Sequence, residues 1–190
     1  MTLPHILLLP GWLGSGPEHW QRRWAARYGD TVVEQADWEV PRRGDWVARL
    51  EDVILAQTAP VALVGHSLGC HLIDAWASSS RHTDRVVCAL LVAPPDLHGS
   101  QLPAVLMPWR RALAQPPLPF PATVAASADD PYCRLAAAKR LAERWGAGFV
   151  DLGPCGHVNA ESGLGDWPQG RHLLDELVRR SSHPASPFND

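Results

Sequence analysis

The 190-residue chain lacks a strong excess of charge: 17 Lys and Arg against 20 Asp and Glu leave a formal net charge of -3. A nucleic acid or an anionic membrane as main partner would call for a basic patch. The only positive clusters are the pairs Arg42-Arg43, Arg110-Arg111 and Arg179-Arg180, a pattern of solvated surface, so neither partner is expected. Cysteine is also scarce. Cys70, Cys88, Cys133 and Cys155 are widely spaced and form no C-x-x-C or Cys/His zinc pattern, so no metal is implied and the thiols are expected to be reduced, as in a cytoplasmic protein. The start of the chain, Met1 to Pro10, has no basic n-region and only a brief apolar run, which does not fit a signal peptide. No apolar stretch approaches the length of a membrane span. Repeats and interdomain linkers are absent too. One domain over residues 1–180 is expected, with a polar, proline-bearing tail at 181–190 expected to be disordered.

What is present is an alternation of short apolar runs with longer helical patterns. The runs suit buried parallel strands at His5 to Leu9, Thr31 to Gln35, Ala62 to Val64 with its flanks, Val86 to Val92, Ala122 to Ala126 and Gly148 to Leu152. Between them, Trp20, Trp24 and Tyr28 recur every four residues, predicting one aromatic helix face. Trp46, Leu50, Val53, Ile54 and Gln57 predict a second helix, Pro131 to Trp145 a third ended by Gly146, and His172 to Arg179 a last one. This order of elements predicts an α/β three-layer sandwich with a mostly parallel six-stranded sheet. Right-handed crossovers, with the first two units winding one way and the rest the other, give strand order 2-1-3-4-5-6. The switch point then lies between strands 1 and 3, where ligands of such sheets bind. The segment Pro94 to Pro121 carries eight prolines around a short helical patch at Val105 to Ala114, and suits a substrate wall or a packed connector equally.

The third strand runs into Gly65-His66-Ser67-Leu68-Gly69, the G-x-S-x-G pattern of a strained strand-to-helix turn that lifts a serine hydroxyl clear of the backbone. An apolar run precedes it and a helix-compatible run from Cys70 to Ala77 follows, which is the context the pattern requires. A serine hydroxyl is a poor nucleophile unless a base takes its proton and an acid orients the base. Of nine histidines, His157 stands just beyond the last predicted strand, in a loop bearing Gly153, Pro154 and Gly156. His66 and His71 flank the elbow, His5 and His19 lie in or beside early elements, and His82, His98, His172 and His183 suit exposed positions. For the acid, Asp129 and Asp130 both follow the fifth strand, in the chain order Ser, Asp, His. Asp130 before Pro131 equally fits a helix N-cap with proline at the first helical position. Asp96 after strand 4 is a weaker substitute. Oxyanion donors are expected from the backbone N–H groups of Leu68 and of the Gly11-Trp12 loop.

That first loop, Pro10 to Gly16, also has the glycines of a dinucleotide site. Its spacing is G-x-x-G-x-G, not G-x-G-x-x-G, and there is no G-K-[ST], so no nucleotide cofactor is expected. Of nine tryptophans, Trp20, Trp24 and Trp46 are read as core, and Trp12, beside the expected oxyanion hole, as a lining of the substrate's acyl pocket.

Taken together, Pro10-Gly-Trp-Leu-Gly-Ser-Gly-Pro-Glu-His-Trp20 with Trp24, then Gly65 to Gly69, Asp129-Asp-Pro131, and Gly156-His-Val-Asn-Ala-Glu-Ser-Gly-Leu-Gly-Asp-Trp-Pro-Gln-Gly170 resemble the compact alpha/beta-hydrolase family of the retinoblastoma-binding serine hydrolase and its bacterial relatives. The resemblance spans Ile6 to Arg180. It implies a minimal, lidless alpha/beta-hydrolase fold, with Ser67 as nucleophile, Asp130 rather than Asp129 as acid and His157 as base. It implies a serine hydrolase acting on small carboxylic esters or amides, without cofactor. Two rivals keep the scaffold: a non-catalytic interaction module, which an activity-based probe would not label, and an acyltransferase, whose acyl group an added alcohol or thiol would capture ahead of water.

Overall fold

Residues along each strand alternate between two apolar layers, and that alternation assembles the molecule. The computed structural model describes residues 3–99, 102–110 and 116–182. In β1 (His5–Leu9), Leu7 and Leu9 enter one cluster and Leu8 the other. In β3 (Val61–His66), Val61 and Leu63 part in the same way from Ala62 and Val64, and in β4 (Val86–Val92), Ala89 and Leu91 part from Cys88, Leu90 and Val92. A strand buried on both faces reads as a continuous apolar run, because successive side chains point to opposite sides. Together with β2 (Thr31–Val32), β5 (Ala122–Ala126) and β6 (Gly148–Asp151), these form one six-stranded sheet of order β2-β1-β3-β4-β5-β6, with every pairing parallel.

Helices α2 (Arg43–Leu55), α3 (Leu68–Ala77) and α4 (Leu135–Trp145) cover the first face, contributing Trp46, Leu50, Leu72, Trp76, Ala138 and Trp145 to its core. The second face is covered by α1 (Trp20–Tyr28) and α5 (Pro168–Ser182), through Trp20, Trp24 and Leu174. This division follows from right-handed crossovers. The one step that moves leftward along the sheet, β1 to β2, carries its helix on one face, and the rightward steps carry theirs on the other. The expected strand order and switch point are therefore observed.

Several expectations need correction. Strand β2 holds two residues rather than Thr31 to Gln35. The Val33 N–H still reaches the Leu8 carbonyl (2.8 Å), but the Glu34 carbonyl is taken by the Arg49 side chain (3.1 Å), so the ladder stops. Helix α4 starts at Leu135, not Pro131. Tyr28 shares its helix face with Trp24 as expected, the Arg171 guanidinium lying over the Tyr28 ring at 4.2 Å and the Trp24 ring at 5.4 Å, but it is exposed. The helical patch expected at Val105 to Ala114 is a 3-10 turn over Ala104–Trp109, and residues 111–115 lie outside the described ones. That turn is a packed connector: Trp109 is buried edge-on to Trp46 (5.5 Å between centroids) and its indole N–H donates to the Pro41 carbonyl at 2.7 Å. Of the tail, Ser181 and Ser182 belong to α5, and 183–190 lie outside the described residues. Among the described residues no helix is long and apolar enough to cross a membrane.

One buried polar residue ties strands β1 and β3 together. Gln21 of α1 is fully buried, and its amide N–H2 donates to the carbonyls of Leu9 and Val64 (3.2 Å each) while its oxygen accepts from the Ser15 hydroxyl at 2.9 Å. It thereby bridges the ends of β1 and β3, where the switch point opens. Replacing it with an apolar group leaves a buried hydroxyl without its acceptor. Gln21→Leu is expected to destabilise the fold by about 1–3 kcal/mol in urea titration; unchanged stability would show that the bridge is dispensable.

Candidate active site

The nucleophile candidate sits where three backbones crowd together. Ser67 adopts φ 54° and ψ -122°, a sparsely populated conformation for a non-glycine residue. It is held by a bond from its N–H to the Val92 carbonyl at 2.9 Å. A Cβ on Gly69 would lie 2.1 Å from the Leu9 carbonyl oxygen, and one on Gly65 would lie 2.8 Å from the Gly69 carbonyl. Both glycines of the pattern are therefore required by contact distance. Gly11 meets the same constraint from the other side, since a Cβ there would come within 2.7 Å of the Ser67 Cβ. The loop after β1 is thus pressed directly against the serine.

Around Ser67 the structure brings together the residues expected from the later strand ends. His157 Nε2 lies 3.0 Å from the Ser67 hydroxyl, and His157 Nδ1 lies 2.9 Å and 3.0 Å from the two carboxylate oxygens of Asp130. The side chains of both partners are almost covered, 10% exposed for His157 and 2% for Asp130. This is a continuous hydrogen-bond chain from hydroxyl to carboxylate, with the imidazole able to take a proton at Nε2 while Nδ1–H stays bonded.

The two adjacent aspartates divide the work between them. Asp130 points at the imidazole and accepts from the Tyr132 N–H at 2.9 Å, so the following turn fixes the carboxylate. It does not cap α4, whose N-cap is Arg134 and has no side-chain cap bond. Asp129 accepts from the Ser127 hydroxyl and from the Gly156 N–H (2.7 Å each), and those bonds, the hydroxyl first, hold its carboxyl below the ordinary range. Ser127 in turn accepts from the Cys155 N–H at 3.0 Å. Asp129 therefore staples the loop after β5 to the loop that carries His157. Asp96 touches neither; its carboxylate accepts from the His98 N–H at 2.9 Å.

Trp12 and Leu68 lie on the two segments that meet at Ser67. Leu68 opens α3, so its N–H is one of those a helix leaves unpaired. In the loop after β1, the Leu13 N–H donates to the Trp38 carbonyl (3.1 Å), the Gly14 N–H to the Gly11 carbonyl (3.0 Å), and the Trp12 indole N–H to the Glu39 carbonyl (2.9 Å). These bonds fix the loop while the Trp12 backbone N–H has no acceptor among the described residues. The Trp12 ring is half-buried against the α2 to α4 core.

Two features of the site were not anticipated from the sequence. His66 Nε2–H donates to the His157 backbone carbonyl at 2.9 Å, tying His157 to the residue just before Ser67. Its ring packs between those of His19 (4.6 Å) and His157 (5.0 Å). Burial holds His66 well below its ordinary pKa, and burial, then His157 and Arg22, hold His19 down to about 4. Helix α1 supplies the second feature: Trp20 and Trp24 are core residues, as expected, but their indole N–H groups also donate to the carbonyls of Val158 (2.8 Å) and Asp166 (2.7 Å). They anchor the segment after His157, where Val158, Gly163, Gly165 and Trp167 have positive φ.

The four thiols are free, and burial raises all four, Cys88 and Cys133 to about 12. Cys155, two residues from His157, is thus disfavoured as a thiolate nucleophile.

The sheet order together with this elbow defines a hydrolase of the alpha/beta fold. The chain matches the Serine hydrolase family over residues 6–176, and belongs to that family. It is similar to a YdeN-like hydrolase from Pectobacterium atrosepticum, at 29% identity and TM-score 0.78, covering 93% of this chain and 91% of that one. The ydeN gene product of Bacillus subtilis matches at 19% identity and TM-score 0.71, over 93% and 99% of the two chains. The type II thioesterase BorB of the borrelidin biosynthetic cluster matches at 18% and 0.65, over 94% of each, a likeness of fold. A comparison with curated proteins returns no match.

Two outcomes test this geometry. Asp130→Asn is expected to slow fluorophosphonate labelling by on the order of 10³–10⁴-fold, because an amide cannot hold the same tautomer. Asp129→Ala should slow it far less, and the reverse order would contradict the division between the aspartates. For pH, the unfolded chain binds a proton at His19 near 6.5, whereas the folded protein does so only near 4. Between those values the unfolded state carries more protons, so this contribution to stability is full above pH 6.5 and is lost as pH falls toward 4. His71, lowered to about 4 by burial, adds the same sign. Urea midpoints should fall over this range, less steeply in His19→Gln; an equal slope in the variant would contradict the assignment.

Proposed function

We propose that the protein cleaves small carboxylic esters, with amides as a slower class, through an acyl-enzyme intermediate. The observation that carries this reading is the unbroken hydrogen-bond chain Ser67, His157, Asp130 at 3.0 and 2.9 Å. In the first step the Ser67 oxygen bonds to the substrate carbonyl carbon as its proton passes to His157 Nε2. The carbonyl oxygen becomes an oxyanion facing the backbone N–H groups of Trp12 and Leu68. The bond to the alcohol oxygen then breaks, and His157 returns the proton to that leaving oxygen. Water repeats the sequence on the acyl-enzyme, giving its proton to His157 and releasing the acid. Asp130 keeps the imidazole proton on Nδ1 and offsets the imidazolium charge during each transfer.

Within the serine hydrolase family, the four sequence blocks favour the compact group of the retinoblastoma-binding hydrolase and its bacterial relatives. The half-buried ring of Trp12 suits a wall of the acyl pocket. A small neutral acyl substrate, no cofactor and a cytoplasmic setting complete the reading.

Ser67→Ala is expected to abolish both p-nitrophenyl acetate hydrolysis and fluorophosphonate labelling while leaving the urea midpoint near that of the wild type. Labelling retained in that variant would overturn the assignment of the nucleophile.

A further inference from the structure

The imidazole of His157 has two other rings as neighbours. One is His66, buried at 5.0 Å. The other is Tyr132, whose ring centroid is 4.6 Å away at an interplanar angle of 68°. The two neighbours differ in exposure: His66 is 5% exposed and Tyr132 is 60%. Most of the tyrosine ring is therefore bare, although its main chain is fixed at both ends. Its N–H donates to Asp130 and its carbonyl accepts from the Asp96 N–H at 3.0 Å. A large aromatic side chain held in water beside His157 differs from Trp20, Trp24 and Trp167 nearby, which are covered.

An ester has two arms at its carbonyl carbon, and different elements flank Ser67 on its two sides. The Gly11-Trp12 loop approaches Ser67 from the β1 side of β3, whereas Tyr132 follows β5, on the opposite side in the sheet order. In the acyl-enzyme reading, on which this inference rests, the leaving oxygen must receive its proton from His157 Nε2. The alcohol arm therefore departs past the imidazole, the ring against which Tyr132 is packed. The geometry points to Tyr132 as the specificity-determining wall of the leaving-group side, favouring esters whose alcohol arm carries a flat aromatic or similarly apolar group. Such a group gains ring-on-ring contact and covers the bare tyrosine surface. No new bond chemistry is involved, only a preference among alcohols.

The test compares benzyl acetate with ethyl acetate, which share the acyl arm and release alcohols of similar basicity. The wild type is expected to favour the benzyl ester in kcat/KM, and Tyr132→Ala to reduce that preference by about tenfold, chiefly through KM. Tyr132→Phe should keep the preference, because the ring and not the hydroxyl supplies it. Tyr132→Leu is measured in parallel and should lose it, which keeps the test decisive if the alanine variant fails to fold. A ring that merely shields the Asp130 to His157 bond from water would lower kcat for both esters alike and leave the preference intact, and that result overturns the inference. Fluorophosphonate labelling, whose leaving group is fluoride, separates the two levels of failure. A wild type that labels but shows no ring-dependent preference refutes the role of Tyr132 alone. A wild type that does not label refutes the hydrolase reading and this inference with it.

Discussion

The constraint on which the rest depends is the close approach of three backbones at Ser67. The first turn of α3 passes the end of β1 so tightly that Gly69 has room for no side chain, the Leu9 oxygen lying 2.1 Å from where a Cβ would be. Gly65 and Gly11 complete the same crowding from β3 and from the loop after β1. Once these glycines admit the contact, the serine takes a conformation of positive φ with its hydroxyl 3.0 Å from His157 Nε2. Strain of this kind costs on the order of 1–3 kcal/mol and persists only when surrounding structure over-determines it. Here the surroundings are the parallel ladders of β3 with β1 and β4 and the buried Gln21 bridge.

His157 requires separate support, because it arrives on a loop after the edge strand β6 and must reach back to Ser67 at the end of β3. Three sets of bonds carry it there. Asp129 and Ser127 staple the loop to the end of β5. The indoles of Trp20 and Trp24 accept no bonds and donate to the carbonyls of Val158 and Asp166, using the polar edge of rings whose bodies fill the core. His66 holds the His157 carbonyl itself. The tryptophans near the start of the chain and the long block after His157 are thus two halves of one device. Their joint presence in the sequence has a physical cause.

Much of this was legible in the sequence, for reasons that differ from element to element. The sheet and its order follow from apolar runs and crossover handedness, and Ser67 from glycines whose absence of a side chain is a steric necessity. His157 could be picked out because it follows the last strand. The choice between Asp129 and Asp130 could not be made from spacing, since both leave β5 together and Asp-Pro imitates a helix start. The resemblance favoured Asp130, and the structure separates the two by their partners: Asp130 meets His157 Nδ1, whereas Asp129 meets Ser127 and Gly156. The end of β2 was hidden as well, because the apolar run continues through Val33 while a distant arginine takes the next carbonyl. Gln21 and His66 gave weaker signals: a polar residue between two buried tryptophans, and a histidine between a buried strand and the elbow. Each is explained only by a carbonyl contributed from far along the chain.

The central claim is that acyl transfer passes through Ser67. It is tested most directly by mixing the protein with p-nitrophenyl acetate, quenching with acid within the first turnover, and mapping the modified peptide by mass spectrometry. The account predicts one acetyl group on the peptide containing Ser67, and a longer-lived adduct in a His157→Ala variant acylated with excess ester. An acetyl group found instead on Cys155, or hydrolysis with no acetyl on Ser67 at any quench time, would contradict it.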